Sequence, residues 1–205
     1  MENIRALKEP FPHLIVENMY DNEELKLIWE ELEFLNKPGK LKSPENYGAA
    51  KLDGKYFTDA KAIVLDAAYM NRNTSNILKI NRKLFNYSKL YSELSPYHIK
   101  FLYCNWDITK IRYYHDNEFY SPHCDAKFDT IACTHFYKEP KKFNGGELFF
   151  PEYEYTIECK NNSCIIFPAY FMHGVSEVRI ADENYYSGFG RYCMTQFTNV
   201  RQNDD

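Results

Sequence analysis

The feature that most constrains this 205-residue chain is a change of hydrophobic period near residue 98. Beyond it come eight short segments rich in β-branched and aromatic residues: HIKFLYC, ITKIRYYH, DTIACTHFY, GELFF, YTIEC, SCIIFP, HGVSEV and RYCMTQFT. Asn, Asp, Gly and Pro separate them. Segments of this length and spacing predict antiparallel strands folded as a sandwich or barrel. Asn144-Gly145-Gly146 reads as a tight turn and Lys160-Asn161-Asn162 as a hairpin connection.

Ahead of the change the pattern is helical and loop-like. Leu14-Ile15-Val16 reads as a first strand. Asp21 or Asn22 caps a helix whose stripe is Leu25, Ile28, Trp29, Leu32 and Leu35. Glu23, Glu24, Glu30 and Glu31 fall off that stripe and are expected in solvent, and Pro38-Gly39 stops the helix. Residues 36–58 form a polar stretch with Lys, Pro, Gly, Asn and two tyrosines, Tyr47 and Tyr56, and read as a long surface loop, either a lid or a solvated connector. A second helix is expected over 76–94, ended by Pro96. Helices first and strands later make an α+β protein with N-terminal helices packed on one side of a β core. The expected organisation is one domain over 1–205, with 1–97 as helical and loop support and 98–200 as the core.

With 44% hydrophobic and 26% charged residues, the chain can bury a core. Its formal charge of −4 argues against a general nucleic-acid binder. The longest apolar stretch, Cys164 to Met172, is broken by Pro168 and falls short of the roughly 20 residues a membrane span needs. The first residues, MENIRALKEPFPHLIVEN, contain no apolar leader segment. A cytoplasmic protein without nucleic-acid or membrane partners is therefore expected. Six cysteines without a C-x-x-C pair point to reduced thiols.

The sharpest local feature is His123-Cys124-Asp125. On a strand the imidazole and the carboxylate share a face and Cys124 turns away, which suits it to packing. His173 lies 48 residues beyond Asp125 and opens another strand. Two imidazoles and one carboxylate form the facial triad suited to non-haem Fe(II), and zinc accepts the same set. Arg191, 18 residues past His173, begins RYCMTQFT and shares a face with Cys193, Thr195 and Phe197. An inward arginine is costly unless paired, and its fork matches a carboxylate. A metal with open positions near an arginine fits a 2-oxo acid, with hydroxyls of Tyr114 and Thr195 as further hydrogen-bond partners. His13, His98, His115 and His135 read as structural residues, and Asp116 and Glu118 as solvated turn residues.

In the order YHDNEFYSPHCD, FYKEPKKFNGGELFFPE, CIIFPAYFMHGVSEV and RYCMTQFTNV, the stretch from about 107 to 199 resembles the iron(II)- and 2-oxoglutarate-dependent dioxygenases of the prolyl 4-hydroxylase-like branch. The resemblance implies a double-stranded β-helix, or jelly roll. It implies His123, Asp125 and His173 as ligands of Fe(2+), and Arg191 as the residue holding the distal carboxylate of 2-oxoglutarate. Tyr114 matches a cosubstrate-contacting tyrosine nine residues before the first ligand, Tyr137 a second one, and Thr195 a polar position beside the cosubstrate. The segment RIADENYYSGFG is inserted before the basic residue, and the strand pattern favours Arg191 over Arg179. Tyr185-Tyr186-Ser187-Gly188 within it reads as mouth lining or as a hairpin tip.

The implied reaction is hydroxylation of a C–H bond by O2, with release of succinate and CO2 and ascorbate as an accessory reductant. The implied substrate is a prolyl residue in a peptide or protein, with a free amino acid or other small molecule as the alternative. A non-catalytic cupin-like binding module and a zinc-dependent hydrolase are the rival readings. Intact ligands with Arg191 argue against the first, and the second gives Arg191 no reason to face a metal cavity.

Overall fold

The computed structural model describes residues 2–201. Two antiparallel sheets pack face to face and a layer of helices covers the larger one. The chain opens with β1 (Asn3–Leu7) and β2 (His13–Glu17), then α1 (Asn22–Leu35). Asp21 caps α1 by accepting from the Glu24 amide, and the Glu24 carboxylate accepts from the Asp21 amide in return.

Residues 36–58 are more ordered than a loop. They hold the single turn α2 (Pro44–Tyr47) and a hairpin of β3 (Lys51–Leu52) with β4 (Lys55–Tyr56). Leu41 and Pro44 are buried, which ties the segment down. The strand β5 (Lys61–Val64) and the turn α3 (Leu65–Ala68) follow. The helix expected over 76–94 is broken into α4 (Asn76–Ile80), a 3-10 stretch Asn81–Tyr87 and α5 (Ser88–Leu94). The predicted stripe still faces inward, with Ile77, Leu84, Tyr87 and Tyr91 buried. HIKFLYC is no strand: it runs through a 3-10 turn into α6 (Lys100–Tyr103), and only Phe101 and His98 of its large side chains are buried.

The remaining strands are β6 (Trp106–Tyr114), β7 (Tyr120–His123), β8 (Thr130–Phe136), β9 (Phe143–Asn144), β10 (Leu148–Phe150), β11 (Tyr155–Ile157), β12 (Ser163–Pro168), β13 (His173–Val175), β14 (Arg179–Ile180) and β15 (Arg191–Asn199). The large sheet has the order β1-β2-β12-β8-β15-β6-β5, and the small one β11-β10-β13-β7. Three strands of the large sheet come from before residue 98, so that region supplies strands as well as helices. The fold is the expected α+β jelly roll. Lys160-Asn161-Asn162 does not close a hairpin, because β11 and β12 lie in different sheets and the loop crosses between them.

Period-two alternation divides the core. Leu14, Val16, Ile111, Tyr113, Ile166 and Met194 face the helices. Ile15, Tyr114, Ile131, Ile165, Phe167 and Cys193 face the small sheet. The helical layer also grips β6 through polar contacts. Buried Asp107 pairs with Arg72 at 3.1 Å and Arg82 at 2.9 Å, and the Thr109 amide donates to Asp66 at 2.6 Å. All six cysteines are free, and among the described residues no helix is long and apolar enough to cross a membrane.

Two acids expected in solvent are not there. Glu31 is buried and accepts from the Ser75 hydroxyl at 2.8 Å and the Ile77 amide at 2.8 Å, joining α1 to α4. Glu31→Ala leaves those buried donors unpaired and is expected to cost about 2 kcal/mol. Urea unfolding checks this, with a lower midpoint at unchanged slope as the expected result. Glu118 accepts the His115 amide at 2.6 Å in the turn after β6, and burial lifts its carboxyl to about 7. Unfolded, the group ionises near 4.5. Its contribution to stability is therefore complete below that value and is lost as pH rises through about 7. Glu118→Gln should flatten the stability-versus-pH curve across this window.

Candidate active site

The strand pair β7–β13 places the two histidines. His173 opens β13 directly opposite His123, the last residue of β7, and their ring centroids are 4.5 Å apart. Asp125 lies beyond the strand, so the pleat does not aim it. Its amide donates to the Ala169 carbonyl at 2.8 Å and its carbonyl accepts from the Phe128 amide at 2.9 Å, a turn that folds the carboxylate back. Asp125 Oδ2 then lies 3.5 Å from His123 Nε2 and 3.6 Å from His173 Nε2. Cys124 is exposed rather than packed, because the strand has already ended.

Backbone carbonyls fix the tautomers. Nδ1 of His123 sits 2.9 Å from the Ser121 carbonyl, and Nδ1 of His173 2.9 Å from that of Phe171. A carbonyl only accepts, so each Nδ1 carries the hydrogen and each Nε2 turns a lone pair toward Asp125. Burial, reinforced by neighbouring His123, pulls the His173 pKa down to about 4. Two lone pairs and a carboxylate converging this closely repel one another unless a cation sits among them. The donor set fits iron(II). Phe167 packs edge-on to His173, and Tyr120 stacks on His123.

Across the same cavity stands Arg191. It begins β15 opposite Tyr114 of β6, is 0% exposed, and none of its three nitrogens has a partner. The Tyr114 hydroxyl is likewise buried and unpartnered, with its ring centroid 4.9 Å from the guanidinium carbon. The turn at Gly146 is built around this side chain: a Cβ there would lie 2.6 Å from Arg191 Cδ, and φ is +76°. Thr195 also lines the cavity. Arg179 does not compete, being exposed and paired with Glu177 and Asn117.

Tyr137 is not among the cavity-lining residues; it packs edge-on to Phe143 at 5.6 Å. The residue on the inner face of that strand is His135, opposite Cys193. It is 0% exposed with both ring nitrogens unpartnered, and burial together with Arg191 keeps it neutral. Tyr185 of the inserted segment packs on Tyr113 and His115, away from the cavity. The sequence reading also missed Lys110 and Arg112, which line the cavity from the same face of β6 as Tyr114. Burial, with Arg112 close by, lowers the Lys110 pKa to about 8. Period two along TKIRYY carried the signal: an inward lysine and arginine are as costly as an inward Arg191.

Residues 109–199 match the model of the 2OG-Fe(II) oxygenase superfamily. This stretch is similar to that superfamily. A prolyl-4-hydroxylase from Pseudomonas putida is similar in structure, with a TM-score of 0.56 at 14% identity over 93% of each chain. The viral collagen prolyl hydroxylase of Paramecium bursaria Chlorella virus-1, solved with 2OG, gives 0.56 at 12% identity over 92% of this chain and 96% of its own. A prolyl hydroxylase from Trichoplax adhaerens, in complex with a hypoxia inducible factor peptide fragment, gives 0.62 at 11% identity over 92% and 83%. At such identities the likeness concerns the fold. No curated protein matches the chain. Fe(2+), 2-oxoglutarate and O2 are what that superfamily's name and chemistry imply for its members, and the His-Asp-His cluster suits the metal.

An unpaired buried guanidinium destabilises the protein that carries it. Arg191→Met is therefore expected to leave the melting temperature of the ligand-free protein unchanged or higher, while abolishing the rise that 2-oxoglutarate gives the wild type. Thermal melts with and without 2-oxoglutarate check both halves.

Proposed function

We propose that the chain is an Fe(II)- and 2-oxoglutarate-dependent dioxygenase that hydroxylates a C–H bond, releasing succinate and CO2. The observation carrying this reading is the unpartnered Arg191 guanidinium facing His123, Asp125 and His173 across one cavity. His123, Asp125 and His173 would hold the metal through the Nε2 atoms and a carboxylate oxygen. Arg191 would hold the distal carboxylate of 2-oxoglutarate, with donors from Tyr114 and Thr195. His135, neutral and unpartnered beside Arg191, takes the role first given to Tyr137. When bound, iron(II) supplies O2 activation and the oxidative decarboxylation of the 2-oxo acid.

The chain's own residues do the rest. The Ser121 and Phe171 carbonyls keep both imidazoles in the metal-binding tautomer through the reaction. Phe150 and Phe167 wall the His173 side with hydrocarbon, which limits water there. The Arg191 fork fixes orientation as well as affinity, because it meets a carboxylate along two parallel hydrogen bonds.

The proposed substrate is a prolyl residue in a peptide or protein, a reading supported by the prolyl hydroxylases that share the fold. A free amino acid is the second reading, favoured by the cationic residues Lys110 and Arg112 in the cavity. Residues 36–58 would form part of the mouth: the Ser121 amide donates to the Phe57 carbonyl at 2.7 Å, next to the His123 strand end. Ascorbate would act as accessory reductant, and the six unpaired cysteines favour the reducing cytoplasm.

The test is succinate formation from 2-oxoglutarate under air with added Fe(II). Wild-type protein is expected to form succinate, and His123→Ala or Asp125→Ala should reduce it to background while far-UV circular dichroism is unchanged. Turnover that survives either substitution would remove that residue from the ligand set.

A further inference from the structure

The cavity holds more positive charge than the proposed cosubstrate can use. Lys110, Arg112 and Arg191 all line it, and Asp125 is the one acid among the lining residues. A divalent metal and the dianion of 2-oxoglutarate cancel each other. Asp125 then offsets one of the three cations and two remain.

No acid among the described residues pairs with these two elsewhere. Arg112 is 4% exposed and its Nε has no partner. Its guanidinium carbon lies 4.4 Å from the Tyr120 ring centroid, a contact with a π-face rather than an acid. No salt bridge within 4.0 Å is formed by Lys110 or Arg112 among the described residues. Nor are they surface groups turned inward by chance. They occupy successive inner positions on β6, which the Asp66 and Asp107 contacts hold in register from the other side.

Their placement orders them by depth. Along the β6–β15 ladder Arg191 is opposite Tyr114, Cys193 opposite Arg112, and Thr195 opposite Lys110. Each step of two residues advances about 6.8 Å. Arg191 is sealed, Arg112 nearly so, and Lys110 is partly exposed. Tyr47, from the segment 36–58, closes over the outer pair, its ring centroid 5.5 Å from Lys110 Nζ and 5.9 Å from the Arg112 guanidinium carbon. The cations therefore run outward from the proposed cosubstrate end toward the mouth.

We infer that Lys110 and Arg112 form a second anion site, which binds a carboxylate of the primary substrate and so sets the oxidised C–H bond close to an acidic group. This deepens the dioxygenase reading and rests on it. The carboxylate comes either from a free amino acid or from an acidic side chain beside the reacting residue, and both sources present the same group to the pair. Lysine gives a point charge at the mouth, and arginine a planar fork deeper in.

The experiment measures binding without turnover. Protein loaded with Mn(II) and saturated with 2-oxoglutarate under nitrogen is titrated calorimetrically with acid and amide pairs. The free pairs are L-proline against L-prolinamide and L-aspartate against L-asparagine. The peptide pair is acetyl-Asp-Pro-Gly-amide against acetyl-Asn-Pro-Gly-amide. At least one acid is expected to bind about tenfold or more tightly than its amide. The free and peptide arms identify the source. Lys110→Met and Arg112→Met should each erase the preference while the affinity for 2-oxoglutarate stays within about threefold. Lys110→Gln and Arg112→Gln serve the same purpose if either methionine variant fails to fold.

Failure of every acid to outbind its amide overturns the inference, as does a preference that survives both substitutions. A parallel loss of 2-oxoglutarate affinity also overturns it, assigning the pair to the cosubstrate. Failure of the wild type to bind 2-oxoglutarate with Mn(II) would instead defeat the dioxygenase reading, so the two failures are distinguishable.

Discussion

A guanidinium buried without an acid beside it lowers the stability of any fold that contains it, and Arg191 is in that position with all three nitrogens unpartnered. The surroundings preserve this arrangement rather than relieve it. Gly146 takes a left-handed conformation so that the chain can pass against Arg191 Cδ. Tyr114 gives the arginine its ring face and leaves its own hydroxyl unpartnered. His135 stands beside it neutral. Arg191 and Tyr114 both line the cavity with unpartnered polar atoms, an arrangement that an anion would complete. The rest of the cavity follows from where that anion's other end must go.

The two ends are held by different parts of the fold, and this division sets the geometry. Arg191 and Tyr114 are fixed by the long β6–β15 ladder of the large sheet, whose outer face the helical layer grips. His123 and His173 are fixed by a short pair at the edge of the small sheet. Asp125 belongs to neither sheet and is tethered to Ala169. The separation of guanidinium and metal site is thus governed by the spacing between two packed sheets, about 10 Å from backbone to backbone in a sandwich. Side chains reaching inward from both sides leave a gap suited to a small diacid. A change in sheet packing would alter cosubstrate fit without touching a ligand.

Much of this was legible in the sequence because strands advertise their faces. RYCMTQFT put Arg191, Cys193 and Thr195 on one side, and the structure agrees. SCIIFP and DTIACTHFY divide between the two core clusters as alternation requires. Two of the misreadings share a cause: a local pattern overridden by tertiary contacts. HIKFLYC has the composition of a strand, but it is helical and packs Phe101 against Phe85 and Tyr91. Glu31 sits off the apolar stripe, yet Ser75 and the Ile77 amide arrive to satisfy it. Tyr137 lies just past β8, so the inner-face period stops at His135. Lys110 and Arg112 were visible in TKIRYY, and the reasoning applied to Arg191 would have found them.

The tautomer lock at the metal site has a consequence for the empty protein. Because each imidazole gives its Nδ1 hydrogen to a carbonyl two residues upstream, neither can move that hydrogen to Nε2 and donate it to Asp125 without losing a buried hydrogen bond. Protonation would relieve the crowding of lone pairs, but burial disfavours it for His173, whose pKa falls to about 4. With both tautomers locked and His173 held neutral, a divalent cation satisfies all three donors at once. The site is therefore preorganised by groups that never touch the metal. Its affinity should depend on the Ser121 and Phe171 backbone positions as much as on the ligands, since a displaced carbonyl would free the ring to turn.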